Sequence, residues 1–320
     1  MVYRSSSKNM VLIKNKKGMF FTMFVIVVLS LFVLSYTLFS SIKERRTTQD
    51  RVTTLNNLVF SLEENLKRQL QISTFRIIFL FEKRIIEKGN YITNIQSAFN
   101  ETFYKGTVEG TSNPEINAIM QGAKSSDIIK DLQENARKLN ANLTILEPKI
   151  YLSQDSPWEI KLTLESNLII KDLNNLAVWN ITHNISAYTS IENFEDPIYI
   201  VSTNALATNK IIRTPYIFSS TDPTNLSSHI QKSYYINSSE APSFLDRLQG
   251  SISTNNKDGI ESIVNLPILS SKGVPVTMGK SVVDHIYFSS SNPSSSTCIG
   301  TPAWFKLDSS HPDIYQASCT

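Results

Sequence analysis

Gly273 and Gly279, followed by Lys280 and Ser281, come nearest in this 320-residue chain to a phosphate-binding loop. Such a loop keeps four residues between its glycines, so that successive backbone N–H groups curl around phosphate ahead of a helix. Five residues intervene here, one of them Pro275, and the following Val282 to Phe288 reads as a strand. Phosphate binding is therefore not expected. No Gly-x-Ser-x-Gly elbow offers a serine nucleophile. His183, His229, His285 and His311 each stand alone, and on a strand Asp284 and His285 would face opposite ways. Glu195 with Asp196, and His311 with Asp313, hold the group types of a cation site, but loop carboxylates are ordinarily just solvated. We expect no catalytic residue, cofactor or metal.

Cys298 and Cys319 are the only cysteines, and their 21-residue spacing suits one disulfide better than a thiol pair that would need two more metal ligands. Closing a loop of that size contributes about 3 kcal/mol by chain entropy. Six N-x-[ST] sequons, at Asn100, Asn142, Asn180, Asn184, Asn225 and Asn237, are glycosylation candidates on an exported chain. Asn180 and Asn184 flank an expected strand end, where sugar would discourage strand-to-strand aggregation.

These residues must be positioned by elements that the charge pattern divides sharply. Residues 1–18 hold Arg4, Lys8, Lys14, Lys16 and Lys17 and no acid. Taking those five from 31 basic residues leaves 26 against 28 acidic ones, too balanced for a nucleic-acid-binding surface. Then Met19 to Ile42 runs 24 residues without a charge, Pro or Gly. As a helix it spans about 36 Å, longer than a hydrocarbon core of about 30 Å. It is too long for a secretory signal core, and Lys43, Glu44, Arg45 and Arg46 follow where small residues would mark a cleavage site. Five Lys/Arg lie in the 18 residues before it and four in the 18 after, so the positive-inside rule barely orients it. The short basic tail, the sequons and the cysteine pair favour an N-terminus inside and the long remainder outside.

The junction Lys14-Asn15-Lys16-Lys17-Gly18, followed by Met19 and the apolar run, resembles the class III signal of archaeal type IV pilin-like surface proteins. The resemblance covers about 25 residues. It implies cutting after Gly18 by a prepilin-type peptidase, with Lys17 and Gly18 last in the leader and Met19 first in the mature chain. It also implies a helix that anchors in membrane lipid and can pack with like subunits in a filament. Met23 stands at the fifth mature position, where bacterial pilins typically carry Glu. An uncleaved signal anchor is the other reading of the same segment.

From Thr47 to Lys88 there is neither Pro nor Gly, and Gly89 marks a stop. Leu55, Val59, Leu62 and Leu66 form one helical stripe, and Phe75 to Phe81 is apolar nearly all round, an end for a domain to bury. A coiled-coil stalk is the alternative, but little heptad pattern is present. A second helix is expected from Ser126 to Leu139, capped by Ser126 or Asp127, with Ile128, Ile129, Leu132, Ala136 and Leu139 inward. The period then changes to two. Strands are expected at Asn142–Leu146, Lys149–Leu152, Trp158–Leu164, Leu168–Ile170 and Leu176–Thr182, joined by short turns that favour antiparallel pairing. Asp196-Pro197 would close that sheet. Beyond it, a helix at Ala241–Leu248 and strands at Ile260–Val264 and Val282–Phe288 lie between Ser/Thr/Asn/Pro-rich interruptions.

The fold class is thus α+β, a long membrane-spanning helix continuing into a helix and antiparallel-sheet ectodomain. The organisation is a basic cytoplasmic leader (1–18), membrane helix (19–42), juxtamembrane helix (43–89), α+β ectodomain (90–200) and loop-rich second subdomain (201–320). The expected function is non-enzymatic, a membrane-anchored, pilin-like structural or adhesive surface protein. A signal-anchored extracytoplasmic hydrolase and a ligand-binding ectodomain are the alternatives.

Overall fold

The computed structural model describes residues 16–255 and 257–320, with side chains from Phe20. Most of the expected leader, including Arg4, Lys8 and Lys14, lies outside the described residues. Lys17, Gly18 and Met19 fall in the first turns of α1 (Lys16–Lys88). By contact density the chain forms two units, one ending at Asn57 and one spanning Leu58–Thr320. The division falls inside the stretch read as a juxtamembrane helix.

In the second unit, α1 buries Leu58, Val59, Leu62, Leu66, Leu70, Ile77, Ile78, Phe81 and Ile85. The all-apolar end is only partly covered, since Phe75 and Phe79 remain exposed although Phe75 packs its ring 5.2 Å from that of Phe194. The stretch after α1 carries α2 (Ile95–Lys105) and α3 (Pro114–Met120), begun by Asn94 and Asn113, whose side chains accept from Ser97 N and Ile116 N. In α4 (Ser125–Lys138), Ile128, Leu132 and Ala136 are buried. Two expectations fail here. Neither Ser126 nor Asp127 caps the helix, because Asp127 accepts from Gly122 N instead, and Leu139 is exposed.

Three long strands follow: β1 (Ala141–Ser156), β2 (Glu159–Asp172) and β3 (Val178–Ser190), an antiparallel meander in the order β1-β2-β3. Antiparallel pairing is as expected, but the five short strands merge into three. Pro148, which lacks an N–H, sits in a register shift between Leu146 and Lys149 rather than ending the strand. Along β2, Ile160, Leu162, Leu164, Leu168 and Ile170 face inward and alternate with wetter residues. The inner face meets α1 at β3, where Glu63 pairs with His183 at 3.0 Å and Thr189 donates to Gln71 O. It meets α2 at β1, where Gln96 accepts from Leu152 N and donates to Ile150 O. The outer face along β2 and β3 is exposed or half-buried and carries Lys161, Thr163, Glu165, Thr182 and Ser186.

The remaining chain is built from short pieces: α5 (Pro197–Ser202), α6 (Thr224–Lys232), β4 (Tyr235–Asn237), α7 (Phe244–Leu248), β5 (Ile260–Ser262), α8 (Leu266–Ser271), α9 (Asp284–Tyr287), β6 (Ser295–Thr297), β7 (Lys306–Asp308) and α10 (Pro312–Tyr315). They enclose a core that includes Tyr199, Ile230, Ile263, Val283, Phe305 and Tyr315. Asp196-Pro197 does not close the sheet; it opens α5, with Asp196 as cap and Pro197 in the first turn. The helix at Ala241 begins only at Phe244, after Pro242 and a Ser243–Asp246 capping box. The strand expected at Val282–Phe288 is mostly α9. Gly250 is required by its φ of +72° and by the Tyr91 ring, which any Cβ there would strike. Cys298 and Cys319 are joined, linking the end of β6 to the residues after α10.

Candidate functional site

Two places depart from the ordinary rule of oil inside and charge outside. The first is the start of α1. Apart from half-buried Val28, every large apolar side chain from Phe20 to Ile42 is exposed, Phe20 by 75% and Phe32 by 73%. Ser30 and Thr37 turn their hydroxyls back to Ile26 O and Leu34 O, which hides their polarity within the helix. Among the described residues, α1 alone is long and apolar enough to cross a membrane, by length and composition.

The second is a sealed charged centre. Arg247, on α7, is fully buried. Its Nη1 donates to Asp196 Oδ2 at 2.6 Å and to Asp284 Oδ2 at 3.0 Å, and Nη2 donates to Asp284 Oδ1 at 3.1 Å and to the carbonyl of Ile260. Each carboxylate is held from elsewhere too. Asp196 accepts from Ile198 N as a helix cap and from Tyr235 Oη at 2.8 Å. Asp284 accepts from Ser262 N at 2.9 Å and from Ser262 Oγ at 2.8 Å. Burial raises the Asp196 carboxyl against the pull of Arg247. For Asp284 burial also acts upward, but the bidentate Arg247 and neighbouring His285 hold it below the usual carboxylate range. The guanidinium therefore has its bidentate partner in Asp284.

Beside it lies a second cluster. His311 Nδ1 is 2.8 Å from Asp308 Oδ1 and its Nε2 is 3.3 Å from Glu261 Oε2. Burial opposes the imidazolium, but the two carboxylates outweigh it and raise His311 to about 10. Asp308 is lowered to about 2, burial notwithstanding, chiefly by His311. The His285 ring centroid is 5.8 Å from that of His311, so two histidines that stand apart in sequence meet here. Serine, histidine and aspartate are all present, yet not in a proton-relay order. Ser281 Oγ donates to Asp308 Oδ2 at 2.8 Å, not to histidine, and all three residues are buried. A nucleophile needs a good base at its hydroxyl and a face open to substrate; here the hydroxyl meets a carboxylate whose basicity His311 lowers, and the cluster is buried. It cross-links β5, β7 and the start of α10.

The other candidates are placed as follows. Lys280 donates to Ser289 O and Ser281 belongs to the cluster above, so neither faces a phosphate cradle. Asp196 is consumed by Arg247, and the backbone of Glu195 pairs with that of Lys210 in an isolated antiparallel β-bridge. Among the described residues no group of three or more His, Cys, Asp or Glu could hold a metal ion. Asn142, Asn180, Asn184 and Asn237 are exposed, whereas Asn100 and Asn225 are half-buried. Sequence reasoning missed Arg247 altogether, because its two partners stand 51 and 37 positions away. Asp196 before Pro197 was the available signal, a cap-and-first-turn pair announcing a buried helix start.

The chain matches no protein-family model, no curated protein and no solved structure.

Proposed function

We propose that this is a single-pass membrane-anchored surface protein of pilin-like design, with its N-terminus cytoplasmic and Leu58–Thr320 presented outside. The observation that carries the reading is the uncovered apolar helix from Phe20 to Ile42. Leaving one large apolar side chain in water rather than burying it costs about 1.5–3 kcal/mol, so a run of this length forgoes tens of kcal/mol in total. A bilayer, or the core of a filament of like helices, relieves that cost. The joined Cys298 and Cys319 fit an oxidising compartment, and an export direction places them there.

Removal of the basic leader after Gly18 by a prepilin-type peptidase would leave a helix held by apolar contact alone, free to pass from lipid into an assembly. The role of the exposed unit is structural or adhesive. Its charged centre locks short elements together and presents no reactive group to solvent. N-terminal sequencing of the membrane-extracted chain tests the processing step. A mature end at Met19 is expected; an intact Met1 would remove pilin-type processing and leave a plain anchor.

A further inference from the structure

We infer that the outer face of the three-stranded sheet is a glycan-bearing surface, modified at Asn142, Asn180 and Asn184, and that the fold withholds the sequons at Asn100 and Asn225. The inference rests on the extracytoplasmic placement of Leu58–Thr320 proposed above. Six sequons in an Asn-rich chain say little alone, but the structure sorts them. In a strand, residues i and i+2 share a face. Asn142 and Thr144, Asn180 and Thr182, and Asn184 and Ser186 therefore each put amide and hydroxyl on the same side, and all three asparagines are exposed.

The register brings the three together. Asn142 pairs with Lys171, which pairs with Val178, and Asn180 lies two residues further along β3. With strands about 4.8 Å apart and about 3.3 Å of rise per residue, Asn142 and Asn180 stand about 12 Å apart, and Asn180 and Asn184 about 13 Å. Asn180 and Asn184 both lie on β3, within the strand rather than at its end, and β3 is an edge of the sheet. Sugar there would block the addition of another strand.

Asn100 and Asn225 are different. Both sit in helices, where i and i+2 diverge around the axis. Thr102, the hydroxyl of the first, is fully buried and donates to Ala98 O and Thr107 O. Asn225 Nδ2 itself donates to Ile217 O at 2.8 Å. Asn237 is exposed at the end of β4, outside the sheet, and is open to modification without belonging to this face. The reaction needs a lipid-phosphate-linked sugar as donor. The Asn Nδ2 attacks the sugar C1, the C1–N bond forms and the C1–O bond to phosphate breaks. The lipid phosphate leaves with the bonding pair, and the Nδ2 proton passes to a base.

Glycopeptide mass spectrometry of the full chain, extracted from the membranes of its own cells, tests this. Glycan mass is expected on peptides containing Asn142, Asn180 and Asn184, and none on those containing Asn100 and Asn225. Replacing the first three (Asn142→Gln, Asn180→Gln, Asn184→Gln) should remove three glycan masses from the intact chain; Asn100→Gln with Asn225→Gln should remove none. Bare strand sites, or equal occupancy of strand and helix sites, on a chain whose second unit is labelled from outside intact cells would overturn the inference alone. A second unit shielded from that label would overturn the topology and the inference with it.

Discussion

From Phe20 to Ile42 the chain turns its apolar side chains outward, while around Arg247 it seals a guanidinium and two carboxylates away from water. The two regions bear on opposite solvents. Among the described residues the large apolar side chains of that stretch stay exposed apart from Val28, and they ask for a medium that the aqueous phase does not supply. The charged centre carries its medium with it, since Asp196, Asp284, Ser262, Tyr235 and the Ile260 carbonyl take the place of water around the ions. The contrast separates a stretch long and apolar enough to cross a membrane from one whose charges are met inside the fold.

The sharpest break in that contrast comes from removing the cation. Arg247→Met leaves Asp196 and Asp284 facing each other unpaired in the core, and breaking a buried pair from one side costs about 3–5 kcal/mol. Denaturant unfolding of the full chain in detergent should show a loss of that size; a loss below 1 kcal/mol would mean that the centre is open to water. Leu31→Arg acts on the other region. A cation at the middle of a membrane helix costs roughly 2.5–3.5 kcal/mol on insertion scales, so the variant should lose much of its resistance to alkaline carbonate extraction of membranes. Unchanged extraction would separate this helix from the bilayer.

The smallest effect is a pH slope. Glu82 is buried on α1 beside Glu195 and is pushed up to about 9, chiefly by burial, and His311 is raised to about 10. Both folded values lie above the unfolded ones, so between pH 7 and 8 the folded state keeps two protons that the unfolded chain has released. Raising pH through that window therefore favours unfolding, by on the order of 1 kcal/mol per pH unit for each group and about twice that together. Glu82→Gln should halve the slope, measured by unfolding at pH 7.0, 7.5 and 8.0. An unchanged slope would show that Glu82 is already ionised in the fold.

The elements legible in the sequence are those whose signal is local and long. The charge-free run, the Leu55, Val59, Leu62 and Leu66 stripe, and the alternation at Ile160, Leu162 and Leu164 each repeat a period often enough to identify α1 and β2, and Ser126 to Leu139 found α4 within a residue. Among the short elements, β5 and α7 fall within the strand and helix expected there, but others were misread. Four residues make α9, too few for a helical period, and Val282 with Val283 imitated a strand. Pro148 read as a break but is absorbed by a register shift. The charged centre left no local trace, because its members come from α5, α7, β5 and α9 and meet only when the loops between them close.

Labelling of intact cells with a membrane-impermeant amine reagent reads out on which side of the membrane Leu58–Thr320 lies, using Lys130 and Lys272, both exposed on the second unit. With the second unit outside, both are modified before the cells are opened. Modification of these lysines only after lysis would contradict that placement.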